Sequence, residues 1–416
     1  MKKIVTAILA AAALAFAHSP TFAEEGAGWI GTWTASPQPA WSSDFPVPLG
    51  FPGNLYHQTI RQVAKASIGG SKVRLVLSNE YGDVPLEIGA AHVALTAEGP
   101  GIQPGSDRAL TFGGKSTITI PPGAPAISDP VDLAVAPLSL LSVSLYFPGT
   151  APTDTMHWDG HQTAFVASGN KAADTEFEAS SKQTQRVFLS EILVDAPADA
   201  RAIVLFGDSI TDGDGSTVDG NDRWGDHLAE RLADAGGKPV AILNQGISGA
   251  RVLSDRMGVN ALARFERDVL SQPHADTVVL MMGINDIGWP GCGLAPNDRQ
   301  PTADDIIAGY RQLIARAHAD GMRIVGATLT PFGDSFAGGP FDGYYTADKE
   351  KIRLAVNDFI RNSGEFDGVI DFDKVVVDPA KPGYIKAEFD KGDHLHPNAA
   401  GYAAMGASID LKVLAQ

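Results

Sequence analysis

From Ala200 onward the sequence repeats a short apolar run followed by an amphipathic segment of helical period, and this alternation restricts the fold more than any other feature. Repeated strand–helix units form a parallel sheet whose crossover helices cover both faces. The predicted strands are Ala202–Phe206, Val240–Asn244, Thr277–Met282, Arg323–Leu329 and Gly368–Phe372. The predicted helices are Asp222–Ala235, Ala261–Leu270, Ala303–Ala319, Thr346–Asn362 and Asn398–Leu414. These units predict a three-layer α/β fold with the flavodoxin-like strand order 2-1-3-4-5.

The sequence before Ala196 has a different pattern, in which short alternating runs are separated by clusters of Gly, Pro and Asn. Examples are Lys72–Leu77, Ser116–Ile120 and Leu141–Tyr146. Alternation over so few residues is typical of half-buried antiparallel strands. We therefore predict an all-β sandwich or jelly-roll domain over residues 24–195, followed by the α/β domain over residues 200–416.

The N-terminus has the features of a secretory signal peptide. Lys2 and Lys3 precede an apolar run over residues 4–17, and Thr21-Phe22-Ala23 is a small-residue cleavage pattern, as is Ala15-Phe16-Ala17. The alternative is a membrane anchor, but the run is shorter than the ~20 residues that span a bilayer. We expect residues 1–23 to be removed and the protein to be periplasmic or secreted, with no later membrane insertion.

Charge and cysteine content exclude several classes of function. The formal net charge is −17, which disfavours nucleic acid and anionic membrane surfaces as partners. The single cysteine, Cys292, excludes an internal disulfide framework and any site built from several cysteines. No sequence pattern calls for a cofactor, and we predict no metal.

Chemically useful residues stand directly after the predicted strands. Ser209 follows the first strand, Gly246 the second and Asn285 the third, while Asp393 and His396 lie between the fifth strand and the last helix. Ligands bind beyond the carboxyl ends of the strands in such sheets. In the predicted strand order, Gly246 and Asn285 flank Ser209, and the long segment before His396 can return to it.

These residue types suit nucleophilic attack on an ester carbonyl. A serine hydroxyl needs a base to take its proton, and His396 is the candidate base, with Asp393 placed to fix its tautomer. The resulting oxyanion needs donors, for which we propose the backbone N–H of Ser209, the backbone N–H of Gly246 and the side-chain amide of Asn285. A side chain at position 246 would crowd the approaching oxygen, and Pro397 suits the first position of the last helix.

Taken together, Gly207-Asp208-Ser209, Gly246, Gly283-x-Asn285-Asp286 and Asp393-x-x-His396 resemble the four signature blocks of the SGNH (GDSL) hydrolase family. The resemblance covers residues 200–416 and implies a serine esterase mechanism with the roles given above. Two N-terminal segments, residues 29–36 and 77–82, resemble a secreted branch that carries a β domain before the hydrolase. That branch includes enzymes similar to xylan esterases and arylesterases.

Several residues have alternative interpretations. Gly333-Asp334-Ser335 is a second Gly-Asp-Ser, which we interpret as a loop because no helix opens behind it. His394 is the second choice for the base, and Asp393, His394 and His396 together could hold a metal, although no further ligand cluster accompanies them. The acidic stretches at 212–215 and 219–222 suggest calcium, but the EF-hand pattern fails, so we interpret them as a mobile acidic loop.

Other side chains receive structural or weaker assignments. Asp208 and Asp286 are interpreted as helix-start carboxylates. Trp289 is a candidate for lining the acyl or leaving-group pocket. Aromatic residues before position 160 could stack on sugars, but for most of them we expect core and interdomain packing.

Three functional hypotheses follow. The first is a secreted serine esterase that hydrolyses short-chain acyl esters of carbohydrates or small alcohols, O-acetyl esters among them, through an acyl–Ser209 intermediate. The second keeps this mechanism and changes the substrate to a lipid, such as a lysophospholipid, or to an aryl ester. The third is a polysaccharide-binding protein whose hydrolase domain is vestigial.

Overall fold

The computed structural model describes residues 28–415. The predicted signal peptide, residues 1–23, therefore lies outside the described residues. Within the described part of the chain, no helix is both long and apolar enough to cross a bilayer.

Strands dominate the chain up to Asp195. They are β1 (Trp29–Thr34), β2 (Gln38–Pro39), β3 (Asn54–Lys65), β4 (Gly70–Ser78), β5 (Leu86–Ile88), β6 (Ala90–Leu95), β7 (Arg108–Ala109), β8 (Ile118–Ile120), β9 (Pro125–Ile127), β10 (Val131–Val135), β11 (Leu140–Pro152), β12 (Thr155–His157), β13 (Ala164–Ser168), β14 (Ser181–Gln183), β15 (Arg186–Val187) and β16 (Leu189–Asp195). The two largest sheets have the orders β1-β16-β4-β10, with β9 beside β4, and β14-β13-β3-β11-β6-β7. All strand pairs in both sheets are antiparallel, which confirms the predicted fold class of this region.

The remaining strands form one parallel sheet. They are β17 (Arg201–Gly207), β18 (Val240–Asn244), β19 (Ala275–Met281), β20 (Arg323–Ala327) and β21 (Gly368–Ile370). Their spatial order is β18-β17-β19-β20-β21, which is the predicted order 2-1-3-4-5. The interior strand β17, which lies between β18 and β19, is buried along almost its whole length, as expected for a parallel strand covered on both faces.

Helices alternate with these strands and cover the sheet. They are α1 (Ser209–Asp212), α2 (Trp224–Ala235), α3 (Ala261–Phe265), α4 (Ile284–Gly288), α5 (Ala303–Ala319), α6 (Ala347–Asn362), α7 (Phe372–Val376) and α8 (Ala399–Ser408). Short π- and 3₁₀-helical turns cover Glu266–Leu270, Ala387–Phe389 and Leu411–Leu414. Thr302 begins α5 with a capping box, in which its Oγ1 accepts from Asp305 N and the Asp305 carboxylate accepts from Thr302 N.

Two predicted helices were too long. The segment predicted as one helix over 261–270 is α3 followed by the π turn, and the helix predicted over 398–414 ends at Ser408. The second break occurs because Ile409 is extended and the Asp410 side chain caps a separate turn by accepting from Lys412 N. The hydrophobic periodicity over 398–414 predicts one continuous helix, but local capping at Asp410 ends it early.

The β region and the parallel sheet make direct hydrogen bonds at strand β18. Thr34 Oγ1 donates to Asn244 O at 2.9 Å, and Ile242 N donates to Ser67 Oγ at 3.1 Å. These contacts bring the β region next to the carboxyl end of β18, where one predicted site residue, Gly246, begins the following loop.

Candidate active site

Ser209 lies where β17 turns directly into α1. The Asp208 side chain caps α1 by accepting from Ile210 N at 3.1 Å, as predicted for a helix-start carboxylate. Gly207 makes this sharp turn feasible, because a Cβ there would lie 2.1 Å from Thr211 Oγ1 and 2.8 Å from Met281 O. Ser209 therefore stands at the carboxyl end of the interior strand β17, on a tightly packed strand-to-helix turn.

The structure brings Ser209, His396 and Asp393 together in one hydrogen-bonded chain. Ser209 Oγ lies 2.8 Å from His396 Nε2, and His396 Nδ1 lies 2.7 Å from Asp393 Oδ2. An ionised carboxylate only accepts, so His396 donates its Nδ1–H to Asp393 and keeps Nε2 free to accept from the serine hydroxyl. Ser209 and His396 are 4% and 6% exposed, which shields both from bulk water.

The carboxylate of Asp393 is held ionised. Its Oδ1 accepts from Leu395 N at 3.0 Å and His396 N at 2.9 Å. Burial opposes ionisation, yet the His396 imidazole and these backbone donors outweigh it and lower the pKa of Asp393 well below its usual range. This short turn fixes both the position and the tautomer of His396.

Pro397 does not occupy the first position of α8, contrary to the sequence prediction. Asn398 is the N-cap, with its side chain accepting from Gly401 N, and the helix begins at Ala399. The turn made by Asp393, rather than the helix start, fixes His396.

His394 and Ser335, the alternative candidates for the base and the nucleophile, have structural roles. The His394 side chain is 52% exposed and its Nδ1 pairs with Asp390 Oδ2 at 2.5 Å. Ser335 is buried, and its Oγ lies 2.8 Å from His394 O and 2.5 Å from Phe332 O, so its one hydroxyl proton is shared between the two carbonyl groups. The second Gly-Asp-Ser is thus a loop, as predicted, and its serine anchors the segment that carries His396.

Asn285 is oriented by three hydrogen bonds. Its Oδ1 accepts from Trp289 Nε1 and Tyr344 Oη, each at 2.9 Å, and its Nδ2 donates to Ala250 O at 3.1 Å. With its acceptor side occupied, the amide has one Nδ2–H left to donate. Gly288 lets the tyrosine approach, because a Cβ there would lie 2.3 Å from the Tyr344 ring.

The structure gives a packing reason for glycine at position 246, and the crowding of the oxyanion by a side chain there stays a prediction. A Cβ at this position would lie 2.3 Å from Asp212 N and 2.7 Å from Asp212 Cα. The close neighbour is thus the backbone of α1, and the glycine lets the loop after β18 pack against it. Its N–H donates to Asn244 Oδ1 at 2.9 Å.

Trp289 is buried, with 2% exposure, and its indole N–H is engaged by Asn285. Its ring lies 5.8 Å from Phe45 of the β region, and the Arg251 guanidinium lies 4.9 Å from its centroid. The side chain therefore holds Asn285 and joins the two parts of the chain; that it lines a substrate pocket remains a prediction.

Two buried carboxyls flank the site. Burial raises the pKa of Asp208 to about 7 and that of Asp286 to about 6. Asp286 lies within α4 and accepts from Val252 N at 2.7 Å and Leu253 N at 2.9 Å. It therefore stands in the first turn of α4, as predicted for a helix-start carboxylate, and its hydrogen bonds tie the loop after β18 to that helix.

The acidic loop after α1 is fastened to the β region. Asp212 Oδ1 lies 2.9 Å from His157 Nε2, and Asp212 Oδ2 accepts from Ser248 N at 2.9 Å. Asp219 accepts from Gln162 Nε2 at 2.7 Å and from Thr163 N at 2.6 Å. No sequence pattern indicates these partners, because they lie far away in the chain.

A serine, a histidine and an aspartate joined at the carboxyl edge of a parallel α/β sheet are typical of serine hydrolases. Residues 203–409 match the family described as GDSL-like Lipase/Acylhydrolase. The α/β part of the chain belongs to this family, and the protein is an ester hydrolase. A comparison with curated proteins found no match.

Solved structures similar to the chain include three enzymes. A lipase/acylhydrolase from Enterococcus faecalis is 25% identical, with a TM-score of 0.39, over 51% of this chain and 94% of that one. A carbohydrate acetylesterase family member from Sinorhizobium meliloti is 17% identical, with a TM-score of 0.38, over 52% and 100%. An acetyl xylan esterase is 19% identical, with a TM-score of 0.38, over 50% and 96%.

Proposed function

We propose that this protein is an exported serine esterase that removes short acyl groups, O-acetyl groups among them, from carbohydrates or small alcohols. The observation that carries the proposal is the unbroken chain from Ser209 Oγ to His396 Nε2 at 2.8 Å and from His396 Nδ1 to Asp393 Oδ2 at 2.7 Å. This arrangement supplies a nucleophile, a base and an orienting carboxylate.

The reaction proceeds by acyl transfer to Ser209. As Oγ attacks the ester carbonyl carbon, its proton moves to His396 Nε2 and the carbonyl π electrons move onto oxygen. His396 then gives the proton to the departing alcohol as the carbon–oxygen bond breaks, leaving an acyl–Ser209 ester. Water attacks this ester by the same route, giving its proton to His396, which returns it to Ser209 as the acid leaves.

We assign stabilisation of the oxyanion to the three donors that the sequence predicts. The remaining Nδ2–H of Asn285 is the side-chain donor. The N–H of Ser209 lies in the first turn of α1, where a helix offers no backbone acceptor. The N–H of Gly246 would share its proton between Asn244 Oδ1 and the oxyanion.

The surroundings of the site support a small acyl group and a polar alcohol. Trp289 and Tyr344 are buried and both donate to Asn285 Oδ1, and in this proposal the two large rings beside the amide restrict the acyl group to a short chain. The Lys391 ammonium group lies 3.6 Å from Asp393 Oδ2 on a side chain that is 39% exposed, and it can hydrogen-bond hydroxyl groups of a leaving alcohol. The net charge of −17 disfavours anionic lipid surfaces.

Export to the periplasm or the medium is supported by the N-terminal sequence, in which two lysines precede an apolar run and small-residue cleavage patterns. Fractionation of the producing cells, followed by N-terminal sequencing of the mature protein, tests this part. Accumulation of an uncleaved chain in the cytoplasm would contradict it.

The function is tested by an ester panel combined with active-site labelling. We expect turnover of p-nitrophenyl acetate and acetylated xylan, with rates falling from acetate through butyrate to octanoate. A fluorophosphonate should label the peptide that contains Ser209 and not the one that contains Ser335, and Ser335→Ala should still be labelled. Binding of polysaccharide without any ester turnover would overturn the proposal.

A further inference from the structure

His396 faces two carboxylates rather than one. Its Nδ1 lies 2.7 Å from Asp393 Oδ2 and 3.4 Å from Asp214 Oδ2. Asp393 belongs to the same short turn as the histidine, whereas Asp214 comes from the loop after α1. The second carboxylate is beyond good hydrogen-bond distance, but at this separation its charge acts strongly on a buried ring.

The position of Asp214 is fixed through its backbone and its side chain. Its N–H donates to Ser209 O at 2.9 Å, and its carbonyl accepts from Tyr402 Oη at 2.6 Å. Lys391 Nζ hydrogen-bonds Asp214 Oδ1 and lies 3.6 Å from Asp393 Oδ2. One ammonium group is thus shared by both carboxylates that face His396.

The β region encloses this group from the other side. His161 Nε2 lies 2.8 Å from Asp159 Oδ1 and 4.0 Å from Asp214 Oδ1. Asp159 Oδ2 in turn accepts from Ser248 Oγ at 2.7 Å, in the loop that follows Gly246. Asp214 therefore lies between the histidine of the active site and a loop of the β region, and its side chain is only about one-fifth exposed (21%).

We propose that Asp214 is a positioning residue for the esterase reaction: it holds the His396 imidazole jointly with Asp393 and supports its positive charge. The proposal rests on the proposed function and assigns it a residue outside the serine–histidine–aspartate chain. When the Ser209 proton moves to Nε2, the imidazolium stands beside two carboxylates and one ammonium group. No proton moves to Asp214, whose contribution is its charge.

The charged groups around His396 determine the pH at which it titrates. Its own segment contributes Asp393 and Lys391, the loop after α1 contributes Asp214, and the N-cap of α1 contributes Asp208. Burial opposes a charged imidazole, but Asp214 and Asp393 outweigh burial and raise the pKa of His396 above its ordinary value. Because only the neutral ring accepts the serine proton, activity should fall as the pH drops through this raised pKa.

The test compares acid limbs of kcat/KM against pH for p-nitrophenyl acetate in the full chain. Asp214→Asn removes a negative charge, so we expect the midpoint to move down by about one pH unit. The value of kcat/KM on the plateau above this midpoint should also fall, by less than about tenfold, since the histidine becomes a weaker base. Lys391→Met removes a positive charge and should move the midpoint up. Asp214→Glu keeps the negative charge and should have the same midpoint as the wild type.

Opposite shifts from Asp214→Asn and Lys391→Met separate an electrostatic role from structural damage, which would lower rates without moving the midpoint in a charge-dependent direction. An unchanged midpoint in Asp214→Asn, with fluorophosphonate labelling of Ser209 intact, would overturn this inference alone. Full turnover in Ser209→Ala would instead overturn the proposed function.

Discussion

Ser209 and His396 stand 187 positions apart in the chain, and the Oγ of the serine lies 2.8 Å from the Nε2 of the histidine. The serine is placed by the junction of β17 and α1, and the histidine by the turn that Asp393 makes before α8. The loop containing Ser335 fastens that turn through the His394 carbonyl. The contact therefore depends on three separate segments reaching their native positions.

We expect Ser209→Ala to lower kcat/KM for p-nitrophenyl acetate by about 10⁴- to 10⁶-fold, because the nucleophile is lost while its surroundings remain. Initial rates give the loss, and thermal unfolding shows whether the fold is kept. Ser335→Ala is the matched control from the second Gly-Asp-Ser. It should lower the melting temperature and leave kcat/KM close to the wild-type value. Loss of turnover in Ser335→Ala together with full activity in Ser209→Ala would show that Ser335, and not Ser209, is the nucleophile.

Both the presence and the orientation of Asn285 should affect the rate, and its presence should matter more. We expect Asn285→Ala to lower kcat by about 10²- to 10³-fold, the cost of one oxyanion donor. Tyr344→Phe removes one of the two donors to Asn285 Oδ1 and should lower kcat roughly five- to tenfold with little change in KM.

Tyr345→Phe is the control for this effect, because Tyr345 packs against Phe332 and Tyr384 and lies next in sequence. Its kcat should match the wild type. Equal losses in both tyrosine variants would indicate general disturbance of the loop after β20, rather than a specific effect on the amide.

Asp208 should make the stability of the fold depend on pH. Burial raises its folded-state pKa to about 7, against about 3.9 in an unfolded chain. The folded state therefore binds this proton more tightly, and the resulting stabilisation is fully present below about pH 4 and lost as the pH rises through about 7. Asp208→Asn removes this titration and keeps a good helix cap.

Melting temperatures of wild type and Asp208→Asn between pH 4 and pH 8 test this expectation. The variant should gain stability relative to wild type as the pH rises, with the difference levelling off above pH 7. Parallel curves across the range would show that the carboxyl does not titrate there.

A buried ion pair should be a major source of stability at the junction with the β region. Arg264 and Asp268 have side chains 0% and 1% exposed and meet at 2.6 Å. Arg264 also donates to Gly207 O and Gln245 O, and Asp268 accepts from Ser36 Oγ of the β region. Asp268→Asn removes the negative charge that pairs with the buried Arg264 guanidinium, and it should lower the free energy of unfolding by about 3–5 kcal/mol.

Urea unfolding measures this loss. The Arg264→Met, Asp268→Leu double variant should recover part of it, because no fully buried arginine then lacks its partner and Arg267, which also pairs with Asp268, keeps Glu80. Lys351→Ala is the surface control, since the Lys351–Asp348 pair is exposed. Its transition midpoint should equal that of the wild type. A surface variant as unstable as Asp268→Asn would refute the importance of burial.

The order of the parallel strands could be predicted because hydrophobic periodicity, strand length and crossover handedness are local or topological properties. Strand β18 was predicted with its observed bounds, and α5 likewise. The placement of Ser209, Asn285 and His396 at one edge followed from the same rule, since residues after parallel strands share an edge. Where local capping competes with periodicity, as at Ile409 and Asp410, the predicted helix was too long.

Sequence alone determined the fold class of each half and which residues after the strands could do chemistry, because these depend on residue type and spacing along the chain. Tertiary structure alone decided which groups support them. Tyr344 reaches Asn285 across the sheet edge, Asp214 turns toward His396, and Asp159 reaches Ser248 from the β region. These contacts depend on side-chain direction and loop packing in three dimensions, for which a linear pattern has no signal.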